Sequence, residues 1–125
     1  FAAPLFPSLR MPNATSFVTY KVKSGKLEEM TTWLHSKNAE FTAWPGLKSM
    51  TFAKLDDTTI KSSVVYASLK DLEANQANFE AAVAELKGML QCAPVREFGE
   101  VFFDCYPKEL PRSNSEENLV PASFY

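Results

Sequence analysis

One histidine, His35, serves the whole chain of 125 residues, and only two cysteines and four glycines accompany it. A lone histidine among scattered acids makes no metal-ligand cluster, and no Ser–His–acid signature surrounds it. The glycines do not gather into a loop that would cradle a phosphate. Charge of one sign is missing as well: thirteen Lys and Arg against fifteen Asp and Glu leave a net charge of −2. That gives no electrostatic ground for nucleic acid or an anionic bilayer as partner. No apolar run approaches the ~20 residues that carry a helix across a bilayer. The chain is therefore expected to take no metal and no cofactor, to bind no nucleic acid, and to be at most peripheral to a membrane complex.

Cysteine is too sparse for a disulfide framework, and its spacing argues against even one bridge. Cys92 falls just before the last predicted strand and Cys105 near its far end. About ten extended residues at ~3.3 Å each separate them by roughly 30 Å, far beyond the ~6 Å Cα spacing of a disulfide. Free thiols are expected, and with them a soluble, reducing compartment.

What is present is a single core's worth of apolar residues, 46% of the chain, arranged with clear periods. Residues 16–23, SFVTYKVK, alternate, with Val18, Tyr20 and Val22 on one face and Phe17, Thr19 and Lys21 on the other. This predicts strand one, ended at Ser24-Gly25. From 26 to 42 the period lengthens: Leu27, Met30, Leu34, Asn38 and Phe41 share an arc, with Glu28 and Glu29 in the first turn. That is an amphipathic helix. Pro45 and Gly46 stop and reverse the chain into strand two at 47–55. Asp56 to Thr59 forms a hairpin into strand three at 60–69. A second helix over 70–90 carries Leu72, Phe79, Val83, Leu86 and Leu90, with Gln76 inside the arc. Strand four is expected over 95–106, VREFGEVFFDCY, with apolar residues on both faces.

The order β-α-β-β-α-β predicts an α+β, ferredoxin-like fold: a four-stranded antiparallel sheet with two helices on one face. The domain spans 16–106, between an N-terminal tail, 1–15, and a C-terminal tail, 107–125. The uncovered sheet face is expected to carry too many large side chains to stay wet.

Three stretches carry a family resemblance: VKSGKLEEM, where a strand runs through Gly25 into an acidic helix start; WPGLKSMTF, the helix–Pro–Gly–strand junction; and VVYASLKDLEANQANF, a strand ending in an aromatic before the second helix. Through them the segment 16–106 resembles the dimeric α/β-barrel superfamily, and within it the antibiotic-biosynthesis-monooxygenase-like group. The resemblance implies sheet-to-sheet dimers enclosing a small apolar pocket, in a group that includes cofactor-free oxygenases, haem-degrading enzymes, polyketide cyclases and proteins without known activity. The haem-degrading branch uses an asparagine on strand one, a tryptophan ending strand three and a histidine on helix two. Here Val18 stands near the first position, Tyr66 takes the second, and helix two has no histidine, so haem degradation in that form is rejected.

No catalytic constellation is identifiable. His35 lies about 80° from Leu27 around the helix, at the edge of the buried arc, and reads as a boundary histidine. Met30, Met50 and Met89 have core spacing. Tyr66, sharing a face with Ser62, Val64 and Ser68, is the candidate ligand contact, with Phe17, Thr19 and Phe102 as further lining of a cavity on the sheet face.

The tails point elsewhere. FAAP at the start resembles plastid proteins of algae with secondary plastids, and an acid-free stretch follows it. Leu5, Phe6 and Leu9 at one end, and Leu119, Val120, Phe124 and Tyr125 at the other, are candidate docking anchors. The primary expectation is a non-catalytic accessory or assembly subunit, docked through its tails in a larger complex, a plastid photosynthetic one. The alternative is a cofactor-independent monooxygenase-like enzyme, or a binder of a small apolar or phenolic ligand. Partners are proteins met through the tails and open sheet face, or a second copy.

Overall fold

A computed structural model describes residues 12–107. Alternation makes β1, Ala14–Lys21, and its neighbours decide where that alternation leads. The sheet order is β2-β3-β1-β4, with β2 at Leu47–Asp56, β3 at Thr59–Tyr66 and β4 at Val95–Glu100, all antiparallel. Each predicted helix is two: α1 (Leu27–Ser36) and α2 (Asn38–Thr42) in the first crossover, α3 (Leu69–Ala74) and α4 (Gln76–Leu86) in the second. The order is therefore β-α-α-β-β-α-α-β, the ferredoxin-like arrangement with broken crossovers.

Facing residues of an antiparallel pair share a side of the sheet. Val18 faces Ser62 and Arg96, and Tyr20 faces Ile60. These point beneath the helices, where Val18, Tyr20, Val22, Met30, Ile60, Leu86, Met89 and Leu90 form the main core. A second cluster joins Ala14, Val64, Tyr66 and Leu72. Trp33 Nε1 and Lys37 Nζ both donate to the Glu85 carboxylate, tying α1 to α4 from outside.

The junction at Pro45-Gly46 explains itself in three dimensions. Gly46 has φ +75°, a conformation that costs other residues ~1–2 kcal/mol. A Cβ there would also stand 2.6 Å from the Cβ of Asp71. Asp71 belongs to the N-cap of α3, where its N–H donates to Ser68 Oγ. Gly46 O accepts from Ala67 N–H at 2.8 Å. The fully buried Asn75 completes the joint: its Nδ2 donates to Pro45 O and to Asp71 O, both at 2.8 Å, while its Oδ1 accepts from Asn78. Trp44 packs edge-on against Phe41, with ring centroids 5.2 Å apart.

Several expectations are corrected. The first strand begins at Ala14, and Ala14 and Thr15 are buried rather than part of a tail. Asn75, not Gln76, occupies the buried arc of the second crossover, because it is the residue that reaches the Pro45 carbonyl. Strand four stops at Glu100; beyond it only Val101 N–H continues the pairing, to Asn13 O. The open face is less greasy than expected. Phe17, Val65 and Val95 share it with Ser49, Thr51, Thr19, Ser63, Lys61 and Glu97. The large side chains of β3 point under the helices instead, and Phe102 and Phe103 lie past the strand's end. Among the described residues no helix is long and apolar enough to cross a membrane.

Gly46→Ala is expected to cost about 2–4 kcal/mol, from positive φ plus the clash with Asp71. Asn75→Ala should cost about 1–3 kcal/mol, by removing the partner of the Pro45 carbonyl and emptying a fully buried polar site. Urea midpoints measure both, and a double mutant losing less than the sum would show that the two residues hold one joint.

Candidate functional site

Beneath the helices the sheet presents an unusual amount of oxygen and nitrogen for a core. Ser16, Val18 and Tyr20 from β1, Met50 and Phe52 from β2, and Val64 and Tyr66 from β3 floor a cleft roofed by Trp33, Phe41, Trp44, Phe79, Val83 and Leu86. Packing leaves about 20 Å³ free inside it, room for about one water molecule. Burial pushes the Tyr20 phenol up to about 12, against smaller opposing effects of the Ser62 hydroxyl and the Arg96 cation. Tyr66 is raised by the same cause, again opposed by Arg96. Both phenols therefore stay protonated at neutral pH and remain hydrogen-bond donors. Ser62 Oγ is shielded from solvent without a well-formed hydrogen bond.

Arg96 stands opposite Val18 on β4, on the same side of the sheet as the cleft. Its guanidinium lies 3.8 Å from the Phe79 ring centroid and 4.8 Å from that of Phe98. Nη1 donates to Gln76 Oε1 at 2.6 Å, while Nε and Nη2 are shielded and have no partner. Burial lowers the Arg96 pKa from its ordinary value, with Tyr66, Tyr20 and Glu80 acting in the other direction. No carboxylate makes an ion pair with it among the described residues.

At the opposite edge a groove of about 410 Å³ opens between α1 and β2. It shares Phe41, Met50 and Phe52 with the cleft, so these three side chains are the wall between them. His35 lies in this groove, exposed, and its ring makes no hydrogen bond among the described residues.

The four residues expected to line one cavity do not converge. Tyr66 is 1% exposed beneath the helices, and Ser62 and Val64 share its side. Phe17 and Thr19 point to the other face, since they pair with Ser63 and Lys61 rather than with Ser62 and Val64. Phe102 is 98% exposed beyond β4. Ser68 serves as the α3 cap. Leu5, Phe6, Leu9, Leu119, Val120, Phe124 and Tyr125 lie outside the described residues. Cys92 and Cys105 are exposed, unpaired thiols. No group of three or more His, Cys, Asp or Glu placed to hold a metal occurs among the described residues. Arg96 escaped notice, although it has the parity of Phe98 in VREFGE, and a cation alternating with aromatics on a two-sided strand is the signal that marks it.

No family model matches the sequence, and no curated protein does. Solved structures do. A protein of unknown function from Nitrosomonas europaea is 20% identical, with TM-score 0.69 over 80% of this chain and 99% of its own. A monooxygenase from Streptomyces coelicolor, solved with nanaomycin D, is 16% identical, with TM-score 0.61 over 78% of this chain and 94% of its own. The cofactor-independent oxygenase SnoaB from Streptomyces nogalater is 17% identical, with TM-score 0.55 over 81% of this chain and 99% of its own. The chain thus has the ferredoxin-like fold of antibiotic biosynthesis monooxygenase-like domains.

The raised Tyr20 phenol has a thermodynamic consequence. Above its ordinary value of 10.0 the unfolded tyrosine ionises, while the folded one holds its proton until about pH 12. Stability contributed by the protonated phenol is complete below pH 10 and falls as pH rises through that interval. The difference in urea stability between the parent and Tyr20→Phe should shift by about 2–3 kcal/mol from pH 9 to pH 12. A pH-independent difference would show that the phenol is not buried as described.

Proposed function

We propose that this chain binds a small, flat phenolic or otherwise oxygen-bearing apolar molecule between its helices and its sheet, as a cofactor-independent monooxygenase-like domain. The observation that carries the reading is Arg96, a half-buried guanidinium whose Nε and Nη2 are shielded and unpartnered, on the side of the sheet that holds two protonated phenols. Shielded charge is ordinarily paired, and here the direct contacts are the neutral Gln76 and the faces of Phe79 and Phe98, with Glu80 acting only from behind Gln76. A phenolate or enolate oxygen supplies the missing counter-charge, and Tyr66 and Tyr20 supply hydrogen bonds. Stabilising such an electron-rich anion in an apolar cage is what a cofactor-free oxygenation asks of a protein.

The ligand's body occupies the 410 Å³ groove, within the ~300–1,000 Å³ range of small-molecule sites. It reaches the inner polar groups by displacing the wall of Met50 and Phe52; methionine, unbranched and adaptable, suits that position. A sheet-to-sheet homodimer leaves this site untouched, because the site lies on the other face. The accessory-subunit reading, with its plastid location, rests on terminal anchors outside the described residues and draws no support from the described ones.

Calorimetric titration with nanaomycin D and with 2-naphthol tests the proposal, together with oxygen uptake in their presence. Saturable binding is expected, weakened about fivefold by Tyr66→Phe and 10- to 100-fold by Arg96→Gln, the ranges for neutral and charged hydrogen bonds. If neither compound binds to protein of intact circular dichroism, the reading fails.

A further inference from the structure

The groove between α1 and β2 has a charge pattern of its own. Its floor is apolar, built from Leu27, Leu34, Phe52 and Ile60, and its rim carries His35 and Lys54. No carboxylate among the described residues lines it. Asp57 is the one acid near the Lys54 ammonium, at 3.7 Å, and both side chains are largely exposed. A contact that long and wet leaves Lys54 free to take a better partner. Asn38, also on the rim, makes no side-chain hydrogen bond among the described residues.

Register fixes how this rim relates to Arg96. Phe52, Ser62, Val18 and Arg96 stand in one row across the sheet, on its helix-covered side, and Lys54 follows Phe52 by two residues on the same side. Lys54 and Arg96 are thus on opposite edge strands, with backbones about 16 Å apart: three strand spacings of ~4.8 Å across and two residues of ~3.3 Å along. Between them lie the phenols and the apolar wall.

The geometry points to a ligand with two oxygen-bearing ends: a hydroxyaryl group directed at Arg96, Tyr20 and Tyr66, and a carboxylate at the far end, held by Lys54 and His35. This rests on the reading of the cleft as the site for the hydroxyl. It adds that the substrate is an acidic, elongated aromatic rather than a neutral phenol. Placing the acid at the rim leaves it partly hydrated, which suits an exposed lysine and histidine better than full burial would.

Three probes separate the two ideas: 2-naphthol has only the hydroxyl, 2-naphthoate only the acid, and 6-hydroxy-2-naphthoate both, at opposite ends of one ring system. Calorimetry at low ionic strength should show the hydroxynaphthoate binding about fivefold to tenfold tighter than 2-naphthol. Lys54→Gln with His35→Gln should abolish that advantage, so that the double variant binds the hydroxynaphthoate no tighter than 2-naphthol. Amide chemical shifts on titration should move at His35, Ala53 and Lys54. Equal affinities for 2-naphthol and the hydroxynaphthoate, or an advantage that survives the double variant, would overturn the acidic end while leaving the phenol site standing. Binding of both acids that Lys54→Gln removes, with none of 2-naphthol, would sink the phenol reading and keep the groove as an acid site. Shifts confined to Phe98 and Leu69 would place the probe on the other edge and sink the inference.

Discussion

In the central strand β1 the pleat leaves each side chain no choice of side. Ser16, Val18, Tyr20 and Val22 go beneath the helices, and Phe17, Thr19 and Lys21 go to the opposite face. Because β1 pairs with both β3 and β4, the same parity is imposed on its neighbours: Ser62, Val64 and Tyr66 on one side, Arg96 and Phe98 on the other flank. A one-residue slip would turn all of these outward together. The polar content of the cleft is therefore a consequence of register. The hydroxyls and the guanidinium lie on one side of the sheet because they share a row or its neighbour.

That register is held at one end by a joint built around a single amide. Asn75 bridges the Pro45 carbonyl and the α3–α4 break, using both donors and its acceptor. Gly46 makes room for the capping Asp71 and accepts from Ala67 just beyond β3. The entrance to β2 and the start of the second crossover are thereby locked to each other. Leu47 is held opposite Tyr66, at the end of the sheet where this joint sits.

Much of the fold was legible because its determinants are local. Alternation at 16–23, the acidic start of α1 and the Pro45-Gly46 stop each act within a few residues, and each appears in the structure. The helix breaks were not legible for the opposite reason. Nothing within a turn of Asn75 demands an interruption; the demand comes from a carbonyl thirty residues away. The end of β4 was overestimated because VFFDCY carries apolar residues of both parities, which period alone cannot distinguish from exposed aromatics. The site was half legible. Tyr66 was singled out, but it was assigned to the uncovered face, although its parity with Val64 and its pairing with Ala14 carry it inward. Arg96 and Tyr20 gain their character only from what surrounds them: burial for the phenol, two rings and no ion pair for the guanidinium.

The break at Lys37 bears on how the interior communicates with its surroundings. Lys37 N–H is shared between the Trp33 and Leu34 carbonyls, which ends the ladder of α1, and α2 then begins a short one of its own. A five-residue helix contributes little stability by itself, so it is held down chiefly by Phe41, wedged between Trp33 and Trp44. Phe41 thereby ties the short helix to both tryptophans and to the aromatic roof of the core. A substitution at Phe41 therefore reaches three places at once: the short helix, the tryptophan pair and the wall between cleft and groove.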